Sequence, residues 1–170
     1  YRALLRNEFD IGYHLSHAGI AQTIAFDTLP ALGEVIVIEY IDGMTLKEAI
    51  EAKKLSRESV RKIIGEVCDA LQYLHSQQIV HRDLKPENIL LTHNGLNAKL
   101  IDFGLSKRYD DEGNQTSTTP VGISHGYAPL EQYKKGGVGT FSPSTDIYSL
   151  GATLYKLITG ATPPDANDIL

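Results

Sequence analysis

A chain of 170 residues, 42% of them hydrophobic and 22% charged, holds enough apolar material for one modest core or for part of a larger domain. Its formal net charge of −5 gives no electrostatic reason for a nucleic-acid or anionic-membrane partner, and its single cysteine, Cys68, excludes an internal disulfide framework and fits a reducing compartment. No run approaches the roughly eighteen apolar residues of a membrane helix and nothing at Tyr1 reads as a signal peptide, so the expectation is an intracellular, cytoplasmic protein with no membrane segment in this chain.

Leu4, Leu5, Phe9 and Leu15 recur at helical spacing, which predicts a helix over Tyr1–Leu15 that Gly12 weakens near its end. Two β-branched segments, Ile20–Phe26 and Glu34–Ile41, flank the turn-like Leu29-Pro30-Ala31-Leu32-Gly33 and predict an antiparallel pair. A short helix is expected over Thr45–Ala52. The clearest helix runs from Ser56 to about His75, with Val60, Ile63, Ile64, Val67, Leu71 and Leu74 on one face and Ser56 as N-cap. Ile79-Val80, Asn88–Thr92 and Ala98–Ile101 are strand candidates. Between Ser106 and Ser142 the chain is polar and rich in Gly, Ser and Thr, a length of loop that is usually functional. A last helix is predicted over Pro143–Thr159, capped by Ser142, with Pro143 in its first turn and Gly160 as its stop.

Three clusters carry chemistry. The first is His81-Arg82-Asp83-Leu84-Lys85-Pro86-Glu87-Asn88. Asp102-Phe103-Gly104 follows at the end of a strand. The third is Ala128-Pro129-Leu130-Glu131, with Asp146 at the start of the last helix. Taken alone, each residue has an ordinary reading: an Asp in a turn is a cap, His81 a packed core histidine, Asn88 a strand-entry cap. Together, the oxygens of Asn88 and of one Asp, Asp83 or Asp102, suit a hard cation such as Mg²⁺, Lys85 can neutralise a phosphoryl group, and the other Asp, free of the metal, can accept a hydroxyl proton. That inventory fits phosphoryl transfer, and the specificity lies in the set: Asp102 stands 14 residues after Asn88, in the right order.

On these motifs the chain resembles a eukaryotic-type protein kinase over essentially its whole length. The resemblance implies that Asp83 is the catalytic base, that Lys85 sits on the γ-phosphate, and that Asn88 and Asp102 hold Mg²⁺. His81 and Phe103 would pack in the regulatory spine, and Arg82 would face the activation segment. Glu8 would be the glutamate of the small-lobe helix. Glu39 C=O and Ile41 N–H would pair with adenine, Ile38 would be the gatekeeper and Leu90 would lie beneath the ring. Ser124 would contact the catalytic Asp. Arg82 and Lys107 would receive a phosphate on Thr118 or Thr119 (Thr116 and Ser117 lie in the same run), Thr119 being the closest match to the usual phosphosite. Asp146 would anchor the catalytic-loop backbone.

The same resemblance implies an α+β fold, the protein-kinase-like fold in part: residues 1–41 a remnant of the small lobe, residues 42–170 most of the helical large lobe. The implied function is transfer of the ATP γ-phosphate, with ATP and Mg²⁺, to a protein Ser or Thr. Lys85-Pro86-Glu87 matches the Ser/Thr class. Departures from the pattern exist as well. No Gly-rich loop or strand-borne Lys precedes Glu8, so residues 1–170 alone are expected to be inactive. Glu131 meets no evident Arg, Gly12 replaces a bulky residue, and Lys134–Phe141 with Gly136, Gly137 and Gly139 reads as a local insertion. A non-catalytic kinase-like scaffold and a small-molecule phosphotransferase of related fold are the alternatives. The filled catalytic positions weigh against the first, and the activation segment with Ala128–Glu131, which would form a peptide-docking ledge, weighs against the second.

Overall fold

The computed structural model describes residues 2–110, 122–133 and 142–169. Helix α1 (Arg2–Gly12) opens the chain, followed by the hairpin β1 (Thr23–Leu29) and β2 (Gly33–Ile38). The helix ends three residues before the expected Leu15. A side chain at position 12 would run into Thr23 Oγ1, so glycine is what lets the end of the helix approach the first residue of β1. Leu15 is still buried, as the helical spacing implied, but from the loop beyond. The hairpin turn falls where expected and Gly33 adopts φ +79°, a conformation glycine reaches without strain. Its first strand starts later than predicted. Ile20 is instead captured by a parallel bridge to Leu100, with Ala21 N–H donating to Leu100 C=O at 2.9 Å.

A three-stranded sheet in the order β3 (Gly43–Thr45), β5 (Ile89–Thr92), β6 (Ala98–Leu100) adjoins two of the sequence motifs, β5 following residues 81–88 and β6 leading to residues 102–104. Helix α2 (Leu46–Glu51) starts at Thr45, whose hydroxyl accepts Glu48 N–H while the Glu48 carboxylate accepts Thr45 N–H, a complete capping box. Helix α3 (Arg57–Ser76) begins at the expected cap, with Ser56 Oγ accepting Ser59 N–H at 3.1 Å. Helix α4 (Pro143–Thr159) has the predicted bounds and ends on Gly160 at φ +74°. Ser142 occupies the N-cap position without giving a side-chain cap bond; its hydroxyl meets Ser144 instead.

One face of α3 (Ile63, Val67, Ala70, Leu71, Leu74) packs on Leu46, Leu84, Ile89, Leu91 and Leu100, all buried. Each such Leu or Ile is worth about 1.5–3 kcal/mol relative to exposure, so this layer is the platform that fixes the loop between β4 (Ile79–Val80) and β5. Strand β4 pairs with β7 (Lys107–Arg108), a pairing the sequence did not reveal. Among the described residues, no helix is long and apolar enough to cross a membrane.

Candidate active site

Residues 81–88 leave β4, cross the top of the core and enter β5 through a single 3₁₀ turn, Pro86–Asn88. The loop is held from below by Asp146 in the first turn of α4. Fully buried, Asp146 accepts His81 N–H on Oδ2 and Arg82 N–H on Oδ1, both at 2.9 Å, and meets His75 Nε2 of α3 at 2.8 Å. Two backbone donors on one carboxylate help hold Arg82 at φ +69°, a left-handed conformation that is costly for any residue with a Cβ, at the position just before Asp83. His81 is fully buried; its ring stands 5.2 Å from that of Phe103, and its Nε2 lies 3.1 Å from Ile101 C=O.

Asp83 is the hub. Its Oδ2 accepts from Asn88 Nδ2 at 2.8 Å and from Lys85 Nζ at 3.0 Å, and its Oδ1 accepts a short bond from the Ser124 hydroxyl. Lys85 Nζ also donates to Ser124 Oγ at 2.8 Å. Four of the predicted residues, from the loop 81–88 and the segment 122–133, are thus in direct contact. Asn88 spends its amide nitrogen on Asp83 C=O and Oδ2, which leaves its amide oxygen as a cation ligand.

Asp102 follows β6 at φ +63° and is exposed; its Oδ1 accepts Gly104 N–H at 3.2 Å. One carboxylate and one amide oxygen, with no other protein ligand required, fit the partial coordination shell that Mg²⁺ uses with phosphates and water. Glu8 on α1 reaches this turn: it accepts Phe103 N–H, and burial together with the neighbouring Asp102 charge raises its pKa above the usual carboxylate value.

The expected adenine contacts are less closely gathered. Glu39 and Ile41 border a cavity of about 350 Å³ shared with Asp42, Thr92, Asn97 and Lys99 rather than with Leu90, which lies on β5 opposite Lys99. Ile38 and Tyr40 are exposed. The Glu39 carboxylate accepts Lys99 Nζ at 2.6 Å and Gln22 N–H at 2.8 Å; burial opposes ionisation, but these donors outweigh it and its pKa falls.

Arg82 and Lys107 are buried side by side under the segment that follows Asp102. Arg82 Nη1 donates to Leu105 C=O at 3.4 Å. Burial, and then the Arg82 charge, pull the Lys107 pKa down to about 8; burial takes Arg82 to about 10 despite Asp146. Thr116, Ser117, Thr118 and Thr119, and the expected insertion at 134–141, lie outside the described residues. Glu131, for which the sequence offered no partner, accepts the Thr145 hydroxyl at 2.9 Å.

The matching family model is that of the protein kinase domain, over residues 2–169. The chain belongs to that family. Three relatives illustrate the range. A probable serine/threonine-protein kinase of Clostridium perfringens is 41% identical over 130 residues, 75% of this chain and 18% of the relative. The serine/threonine-protein kinase RUNKEL of Arabidopsis thaliana is 42% identical over 129 residues, 75% of this chain and 9% of the relative. The serine/threonine-protein kinase PrkC of Bacillus subtilis is 39% identical over 131 residues, 76% of this chain and 19% of the relative. The chain therefore spans less than a fifth of the length of these curated relatives. Protein kinase domains use ATP and Mg²⁺ and act on proteins, and the α+β architecture above is a fragment of that domain.

Sequence reasoning missed four supporting groups: His75 on Asp146, Gln132 Nε2 donating to Arg82 C=O at 3.1 Å, Ser106 Oγ donating to His81 C=O at 3.0 Å, and Asp165, which gathers donors from residues 125–133. All join residues distant in the chain. None carries a local pattern that could have shown them.

Proposed function

We propose that the protein containing this chain transfers the γ-phosphate of ATP to Ser or Thr hydroxyls of a protein substrate. The observation that carries the reading is the convergence of Asp83, Lys85, Asn88 and Ser124, with a carboxylate at the centre of three donors. Asp83 is positioned to accept a hydrogen bond from the incoming hydroxyl and to take its proton as the bond to phosphorus forms. Lys85, one contact away, supplies positive charge where the transferred oxygens accumulate negative charge. Asn88 does two things at once: its nitrogen holds Asp83 in place and its oxygen, with the Asp102 carboxylate, would hold Mg²⁺. When bound, that ion would neutralise phosphate charge. The Ser124 hydroxyl ties the substrate-facing segment to both catalytic side chains, which favours a hydroxyl-bearing peptide acceptor over a small molecule.

In this reading residues 1–41 belong to the small lobe and 42–170 to the large lobe, Glu8 receives a lysine from the small lobe, and Glu39, Ile41 and Leu90 contact adenine. Arg82 and Lys107 form a buried cationic pair fit to receive a phosphorylated Thr118 or Thr119.

The test is phosphotransfer from γ-labelled ATP by the full-length protein and its Asp83→Asn variant. The variant should lose roughly a thousandfold or more in the chemical step while nucleotide affinity stays within a few-fold of wild type. Equal rates would remove Asp83 from the mechanism.

A further inference from the structure

Asp165 lies in the segment after α4, just before the 3₁₀ turn Ala166–Asp168, and takes no part in the chemistry above. Its carboxylate nevertheless collects three donors from one stretch of chain. Oδ1 accepts a short bond from Gly126 N–H and the Tyr133 hydroxyl at 3.1 Å; Oδ2 accepts His125 Nδ1–H at 2.8 Å. We propose that Asp165 is the positioning residue of the peptide-docking ledge formed by residues 122–133: it acts through Gly126 to keep Ser124 on Asp83 and Lys85. The proposal rests on the kinase reading of that site.

The ledge is secured from two sides. On its inner side Tyr127 C=O accepts the Ser149 hydroxyl at 2.8 Å, and Gln132 donates to Arg82 C=O. Its outer side meets the segment 162–165, where the Asp165 carboxylate bonds to the ledge. Gly126 marks how close the approach is. It adopts φ +80°, and a Cβ there would stand 2.6 Å from Pro163 C=O and 2.9 Å from Thr162 Cγ2. A left-handed conformation and a filled space coincide at one residue, so the ledge can meet this segment only as glycine.

From Gly126 the path to the reacting groups is short. Tyr127 N–H and Ala128 N–H both donate to Ser124 C=O at 3.0 Å, closing a tight turn whose first residue carries the hydroxyl on Asp83. Releasing Gly126 opens one side of this turn and frees Ser124 to leave Asp83. The donors facing Asp165 favour its ionised form. The His125 bond, then those of Gly126 and Tyr133, lower its pKa against the opposing effect of burial, and burial with the Asp165 bond pushes the Tyr133 phenol up to about 12. Around neutral pH the carboxylate is ionised and the phenol keeps its proton.

The test uses the full-length protein with a peptide mixture in which one fixed Ser or Thr is flanked by random residues. Asp165→Ala should raise the peptide KM roughly tenfold, the effect of losing one charge-assisted bond, with the ATP KM and the peptide-independent hydrolysis of ATP unchanged. Asp165→Asn should rescue to within about threefold, because an amide oxygen still accepts from Gly126 and Tyr133 and neutral His125 can present Nδ1 as acceptor. Hydrogen exchange at the Gly126 amide should quicken in Asp165→Ala only. Tyr133→Phe, which keeps the ring, should move the peptide KM the same way by a smaller factor, and decides the matter if Asp165→Ala does not fold. An unchanged peptide KM in both variants, or an equal fall in peptide and ATP parameters, would overturn the positioning role and leave the kinase reading standing. A wild type silent toward the mixture and toward itself would overturn the kinase reading, and this proposal with it.

Discussion

The Asp146 carboxylate accepts the backbone N–H of Arg82 at 2.9 Å, although 64 residues separate the two in the chain. Because Asp146 also holds His81 N–H, the direction in which Asp83 leaves the loop depends on a helix that contributes nothing to the chemistry.

Replacing Asp146 by Ala strands two buried backbone donors, each costing about 1–3 kcal/mol, so the unfolding free energy of the full-length protein should fall by roughly 3 kcal/mol. Phosphotransfer should fall with it, since Arg82 loses what keeps it in the left-handed region. His75→Ala removes a side-chain partner that is only 15% exposed but leaves both backbone bonds to Asp146 in place, so it should cost less, about 1 kcal/mol. Urea titrations of both variants measure the difference.

Ser124→Ala should lower kcat/KM for peptide about tenfold, the usual scale for one bond to a charged group, and leave ATP binding alone. Threonine at 124 keeps the hydroxyl and should restore the rate. Steady-state kinetics in both substrates distinguish this from a general loss of structure.

Lys107 predicts a pH dependence of stability. Its folded pKa of about 8 lies below the value of about 10.4 for an unfolded lysine. Between those values the unfolded chain holds a proton that the folded chain has released, so stability should rise with pH through that window and be lost as pH falls towards 8. The difference in Tm between Lys107→Met and wild type should therefore be more favourable to the variant at pH 7 than at pH 9.5. A pH-independent difference would mean that burial does not perturb this ammonium.

The Arg82–Lys107 pair also bears on regulation. After incubation with Mg²⁺-ATP, wild-type full-length protein should gain phosphate between Ser106 and Ser124, and Thr119→Ala should lose most of the resulting activation. Arg82→Ala should abolish the phosphate-dependent part of the activity and leave the basal part. Full activity without phosphate in that segment would exclude a switch there.

The helices were legible because their ends are written locally. Ser56, Pro143 and Gly160 mark starts and stops that α3 and α4 respect to within one residue. The strands were less so. Where β1 begins depends on Gly12 meeting Thr23 and on Ile20 joining Leu100, and two adjacent basic residues, Lys107 and Arg108, gave no sign of pairing with Ile79 and Val80. The same division holds in the site. Asp83, Lys85 and Asn88 lie within a few residues of each other and read as a unit, whereas Asp165 sits in Pro-Pro-Asp, which by itself says only turn.

Gly12 has a further consequence. With no side chain between them, the end of α1 rests on Thr23, while Phe9 packs 5.4 Å from Phe26 and the Arg6 guanidinium lies 4.9 Å from the same ring. Helix and hairpin thus share one packed contact, and the same helix carries Glu8 to the Phe103 amide, so a side chain introduced at position 12 would disturb the setting of Glu8 as well as the start of β1.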